Sequence, residues 1–402
     1  MTDVRAAALL TPPADPSHAP ASGRARLRFV NGALRALWRG GLADEPSLVP
    51  AALIAAACAR TGLDDFGVGD HWREGLKRLA GAIQAEAQLT PLGRTIAHGQ
   101  LVGHLAARLR AVRLWRAHPE IARIPVTAPI VVLGQMRSGT TRVQRLLACD
   151  PELAHTRFFE SWNPVPGRRF DDRRLRGMIG LTVAHLLNPG FKAIHPTTTG
   201  APDEEIGLQS FSFFGSAFEA QWRVPSYVAW VEGVDARPFY AEFRLLLQTL
   251  AFLRGDDGAR PTVLKVPQFT QDLPALLDAF PGARLLRLTR DPGPLVASSA
   301  SLVRNQMAVQ SDAVDPRWIG REWRRKIALR EARMTAALTV PHHELAFAAM
   351  NRDAIGEMRK VYDFLGRPLT ADVEARMRTY LAQSGGRKLD RHRYDPAEFG
   401  LD

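Results

Sequence analysis

Across residues 27–120, apolar side chains recur every three or four positions, the period of helices with one face in a core. Helix starts are predicted at Ser47, Asp70 and Thr90, the last with Pro91 at the first helical position. Gly62, Gly93 and Pro119 are read as interruptions. From Ile130 the pattern changes. Short, continuous apolar runs, IVVL at 130–133, TVLKV at 262–266 and ARLLRLT at 283–289, alternate with helical stretches ending near Leu147 and Phe280 and restarting at Pro294. Runs without a polar face imply strands buried on both sides, and strands alternating with helices imply a parallel sheet flanked by helices. The expected fold is therefore α/β behind a helical N-terminal region. A ligand site belongs at the C-terminal ends of the strands.

Chemistry concentrates at two of those ends. The first run opens into GQMRSGTT, in which Gly134 and Gly139 bracket four residues before a helix starts. That is the length of a P-loop, whose amides converge on an anion at the positive end of the helix dipole. A Walker loop has Lys after its second glycine; here Thr140 and Thr141 follow, and the nearby cation is Arg137. At the second end, RLLRLTRDPGPLVASSASLVRN runs from a strand through Arg290 into a helix, with Ser298 eight residues after the Arg. An Arg at a strand exit offers a bidentate fork to a phosphate, and a Ser two turns into the helix can turn back to it.

Loop and second motif together resemble the sulfotransferases that use 3′-phosphoadenosine 5′-phosphosulfate (PAPS), in particular their large bacterial branch. ARTGLDDFG, WREGLKRLAGAI, LTPLGR, HPEIARIPV, APDEEIGLQSFSF and the C-terminal GRKLDRHRYDPAEFGLD extend the likeness. The resemblance implies a P-loop NTPase-like sheet and sulfuryl transfer from PAPS to a hydroxyl or amine, leaving 3′-phosphoadenosine 5′-phosphate (PAP). It implies that Arg137, Ser138, Gly139, Thr140 and Thr141 hold the 5′-end, that Arg290 and Ser298 hold the 3′-phosphate, and that Lys388 in a basic closing segment reaches the phosphates. The organisation expected is a disordered leader over 1–25, a helical region over 26–125, and a PAPS-binding domain over 126–402 with a helical acceptor-site insertion at about 165–260.

For the reaction, Arg137 and Lys265 are the expected cations and no metal is required, since transfer needs charge neutralised at the leaving phosphate. Only six lysines occur in the chain, which makes a strand-end Lys265 informative. Glu160, in RFFESW, is the expected base, because partial burial among aromatics raises a carboxylate's pKa. His195 and the acids Asp203, Glu204 and Glu205 are reserves. The aromatics of 211–222 and 225–233 are expected to build much of an acceptor pocket for a small apolar or amphipathic molecule, with plain helix core the favoured reading for most of them taken singly.

Charge narrows the partners. Fifty-three basic against 41 acidic residues give +12, which suits a partner carrying several negative charges: nucleic acid, an anionic membrane or a polyphosphorylated cofactor. No Lys/Arg-rich run of five to eight residues stands out and no aromatic interleaving accompanies the charge, which makes nucleic acid the weaker choice. Two cysteines, Cys58 and Cys149, exclude a disulfide framework or a cysteine metal cluster. The apolar stretch at 47–62 is too short to span a bilayer, so stable membrane insertion is not expected. A cytoplasmic protein is expected, with a homodimer left open. Two other readings remain: a P-loop kinase or NTPase, and a non-catalytic nucleotide-binding protein.

Overall fold

The computed structural model of the protein describes residues 21–385 and 395–401. Residues 1–20 of the expected leader, and Lys388, lie outside the described residues. Four helices come first: α1 (Ala21–Arg39), α2 (Pro50–Thr61), α3 (His71–Glu86) and α4 (Pro91–Ala117). Thr90 caps α4 as its sequence implies, its hydroxyl accepting the Gly93 N–H at 3.1 Å with Pro91 at the first helical position. Gly62 ends α2 in the left-handed region at φ 68°. Gly93 does not interrupt anything. It lies inside α4, where a Cβ would stand 2.1 Å from the Gln310 carbonyl oxygen, so the glycine permits a close helix approach.

Strand β1 (Ile130–Leu133) follows, then α5 (Thr140–Leu147), β2 (Ala154–His155), α6 (Phe158–Trp162) and α7 (Arg173–Leu187). Five helices fill the long stretch before the next strand: α8 (Phe191–Ile194), α9 (Ile206–Ser210), α10 (Ser216–Gln221), α11 (Pro225–Gly233) and α12 (Arg237–Arg254). The second half brings β3 (Thr262–Leu264), α13 (Leu273–Ala279), β4 (Arg284–Thr289), α14 (Pro292–Gln310), α15 (Pro316–Ala337) and β5 (His342–Ala346). It closes with α16 (Phe347–Arg352), α17 (Ala354–Leu365) and α18 (Ala371–Gly385).

The five strands form one parallel sheet in the order β2-β3-β1-β4-β5. β1 is central and wholly buried, which explains its unbroken apolar sequence. Successive side chains of β1 serve opposite faces. Val131 and Leu133 join a core that also holds Leu76, Leu79 and Leu105 of the N-terminal helices, whereas Ile130 and Val132 pack with Val143 of α5 and Met358 of α17. The helical region and the sheet therefore share one core. β1 and β4 are direct neighbours, pairing from Ile130 with Arg284 to Leu133 with Arg287. Their exit loops, which carry the two sequence motifs, must emerge side by side.

Candidate active site

The β1 exit loop folds back on itself. Ser138 is 1% exposed and turns inward, its hydroxyl donating to the Gln135 carbonyl at 2.7 Å. A Cβ on Gly134 would meet that hydroxyl at 2.8 Å. Gly139 has φ 95° and precedes α5, and a Cβ there would lie 2.9 Å from the Phe347 ring. The first-turn amides of α5 have no carbonyls to pair with inside their own helix and stand at its positive end. Arg137 also has a positive φ, 71°, which is uncommon outside glycine and marks a position fixed by its surroundings.

Those surroundings are the second motif. Arg290 donates to the Arg137 carbonyl, and Arg137 Nε donates to Ser298 Oγ at 3.1 Å. Arg137 also reaches the Ile194 carbonyl at 3.1 Å. Ser299 donates to the Met136 carbonyl at 3.2 Å. Both serines are nearly fully buried against the loop rather than lying on a helix surface. The Arg290 guanidinium stacks 4.2 Å from the Phe347 ring centroid, at the exit of edge strand β5. Sequence reasoning missed Phe347, because a single Phe after a polar edge strand carries no local signal.

Lys265 lies one residue before the end of its apolar run and is 2% exposed. Its Nζ donates to Thr141 Oγ1 at 3.0 Å and pairs with Glu204, while its amide donates to Glu205 Oε2 at 2.7 Å. Glu205 is fully buried, and burial pushes its pKa up to about 8 against the hydrogen bonds it accepts from the Lys265 amide and Thr156. It is therefore mostly protonated at neutral pH. Asp203 receives the Thr197 hydroxyl at 2.6 Å and stands 3.3 Å from His195 Nε2. Burial pushes the Asp203 carboxyl up, but the facing His195 and these hydrogen bonds hold it well below the usual carboxylate range.

Glu160, the expected base, lies away from this cluster. It is the third residue of the short helix α6 and accepts the Arg157 amide at 2.9 Å, closing a capping box. Arg157 and Arg254 both pair with its carboxylate, Arg254 Nε at 2.8 Å, and the side chain is 0% exposed. Burial pushes its pKa up, but the two guanidinium groups outweigh it and hold it at about 2. Glu160 does not line the cavity described next, and the two guanidinium groups oppose its protonation.

A cavity of about 940 Å³ opens at the C-terminal side of the strands. Arg137, Gly139, Thr140, Thr141, Lys265 and Arg290 line one part of it, with His195, Asp203 and Glu204. The remainder is mostly apolar and bounded by α4, α6 and α7. Its aromatics are Phe158, Trp162, Phe191 and Phe347. Those expected from 211–222 and 225–233 are placed differently: Phe211, Phe213, Phe214, Phe218, Trp222 and Tyr227 are at most 2% exposed and form core. From those segments only Ala217, Ala220 and Gln221 reach the cavity. Along α4 the wall is Gly99, Gln100, Gly103, His104, Ala107 and Arg110, and a Cβ on either glycine would meet nothing within 4 Å. Glycine inside a helix costs up to about 1 kcal/mol relative to Ala. With no packing reason for it, the effect of these glycines is to keep space open. Their i, i+4 spacing is a signal that was present in the sequence.

This arrangement can bind a phosphorylated ligand at the loop and hold a second, largely apolar molecule against it. Such a cavity is at the large end for one small ligand. A search of curated proteins gives no match. Among solved structures, sulfotransferase STF1 from Mycobacterium tuberculosis superposes with a TM-score of 0.78 at 27% identity, over 90% of this chain and 97% of that one. Sulfotransferase STF9 from Mycobacterium avium superposes with a TM-score of 0.74 at 26% identity, over 87% and 93%. A profile of the sulfotransferase family matches residues 129–371, more than half of the chain and both loops. The chain belongs to the sulfotransferase family.

Proposed function

We propose that the protein transfers the sulfuryl group of PAPS to a hydroxyl of a small amphipathic acceptor. The observation that carries this reading is the meeting of Arg137, Arg290 and Ser298, drawn from two loops more than 150 residues apart, beside a helix N-terminus and a buried lysine. That supplies two anion sites. The α5 first turn with Thr140, Thr141 and Lys265 suits a 5′-phosphosulfate, and Arg290 with Ser298 suits a 3′-phosphate. PAPS, when bound, supplies the sulfuryl group and leaves as PAP.

The chain's own contribution is charge and a proton acceptor. Lys265, desolvated and held by Thr141, and Arg137 neutralise charge gathering on the leaving phosphate, which is why no metal is invoked. The base we assign is His195. Asp203 holds it through Nε2, which leaves Nδ1 to take the acceptor proton as the oxygen–sulfur bond forms and the bond from sulfur to the 5′-phosphate breaks. Glu204 is a second reading, favoured by its contact with Lys265 in the same cavity.

Incubating acceptor pools with PAPS and looking by mass spectrometry for the gain of one sulfuryl group tests the activity; no such product, with PAP bound normally, removes it and leaves a nucleotide-binding protein. At saturating PAPS, His195→Gln should lower turnover by about 10²–10⁴ with PAP affinity unchanged. Near-normal turnover in that variant, with collapse in Glu204→Gln, transfers the role to Glu204.

A further inference from the structure

Six of the eleven exposed large apolar side chains among the described residues fall in one short stretch: Phe170, Leu175, Met178, Ile179, Val183 and Leu186, from 47% to 59% exposed. The last five lie on α7 at spacings of three, one, four and three, so they share one face of that helix. The opposite side is anchored, since Leu181 is buried and a Cβ on Gly177 would meet Phe159 at 2.6 Å. Folded monomers rarely leave such a stripe in water without a use for it.

The charge around the stripe is of one sign. Arg168, Arg169 and Arg174 are exposed, whereas the two acids of the segment are occupied, Asp171 by Arg173 at 2.7 Å and Asp172 by Arg176 at 3.3 Å. Next to the end of α7 runs α1, whose Arg26 donates to the Leu186 carbonyl at 2.9 Å. α1 contains no acidic residue and exposes Phe29 at 76% beside Arg28. A second copy of the chain, seated on this face about a two-fold axis, would bring these arginines toward their own counterparts. A surface of lipid phosphates meets them with opposite charge and takes the apolar side chains into the acyl boundary, the behaviour of an amphipathic interfacial helix. No described helix is long and apolar enough to cross a membrane, so the contact is one of lying on the surface.

We propose that the exposed face of α7, with the adjoining part of α1, docks on an anionic membrane surface. Ile179, Gly180 and Ala184 of the same helix line the cavity, so α7 is the wall between that surface and the acceptor space. An amphiphile resident in the membrane reaches the cavity along α7 without crossing bulk water. Docking stands independently of the transfer reaction; only its use in acceptor delivery rests on the proposed function.

The test is co-sedimentation of the full chain with vesicles of equal parts phosphatidylcholine and phosphatidylglycerol, against vesicles of phosphatidylcholine alone. The protein should pellet with the anionic vesicles at least tenfold more tightly. Leu175→Glu combined with Val183→Glu should weaken that binding at least tenfold, and Arg168→Gln combined with Arg174→Gln should abolish the preference for anionic lipid. PAP affinity, measured by calorimetry, should be the same in all three proteins, which controls for folding. Three results overturn the proposal: wild-type protein left in the supernatant, variants that pellet as wild type does, or light scattering that shows a dimer which Leu175→Glu and Val183→Glu convert to monomer. Failure of every form to bind PAP would instead strike the proposed function and leave the docking result standing.

Discussion

Replacing Glu160 by Gln separates a structural carboxylate from a catalytic one. In the folded protein its pKa is about 2, against an ordinary 4.5, because Arg157 and Arg254 outweigh the effect of burial. A depression of that size corresponds to about 3 kcal/mol of stability. The sign follows from the direction: the contribution is complete above pH 4.5 and is lost as pH falls from there toward 2. Glu160→Gln keeps the shape but leaves two guanidinium groups facing a neutral amide, one of them largely buried. It should lower unfolding free energy at pH 7 by about 2–3 kcal/mol, and the gap to wild type should close as pH approaches 2. Denaturant unfolding at pH 7, 4 and 3 measures this. Turnover per folded molecule, taken below the melting range, should stay within a fewfold of wild type. Unchanged stability with turnover down by about 10² or more would refute the reasoning and return Glu160 to the role of base.

The buried acid next to Lys265 behaves in the opposite sense. Because the Glu205 pKa is raised to about 8, its carboxyl favours the fold fully below about pH 4.5 and loses that advantage as pH rises toward 8, so Glu205→Gln should remove this slope from the stability profile; an unchanged slope would mean that Glu205 is ionised in the fold. Gly103→Leu fills open cavity space, so acceptor turnover should fall at least tenfold while PAP binding holds; normal turnover would place the acceptor elsewhere. Sulfuryl transfer should survive EDTA, and loss of activity that Mg²⁺ restores would favour phosphoryl chemistry.

Much of this was legible in the sequence for physical reasons. β1 is wholly buried and β3 and β4 mostly so, so all three announce themselves as apolar runs, and the two motif-bearing loops directly follow β1 and β4. The edge strands β2 and β5 were not read. β2 has only two residues, and the HHELA of β5 leaves all but Leu345 at least partly exposed, so neither carries an apolar period. The pocket was misread because an aromatic cluster has the same sequence signature in a core as in a cavity wall. The ion pairs of Glu160 were not legible because one partner, Arg254, is 94 residues away. Gly93 and Gly103 look alike as letters, yet one admits a neighbouring helix and the other keeps space empty.

The central claim is recognition of a 3′-phosphorylated donor, and calorimetry of PAP against AMP tests it most directly. Two charge-assisted contacts from Arg290 and Ser298 are worth roughly 2–4 kcal/mol, so PAP should bind at least tenfold more tightly than AMP. Arg290→Ala should lose most of that preference while leaving AMP affinity nearly unchanged. Equal affinity for PAP and AMP in the wild-type protein would contradict the account.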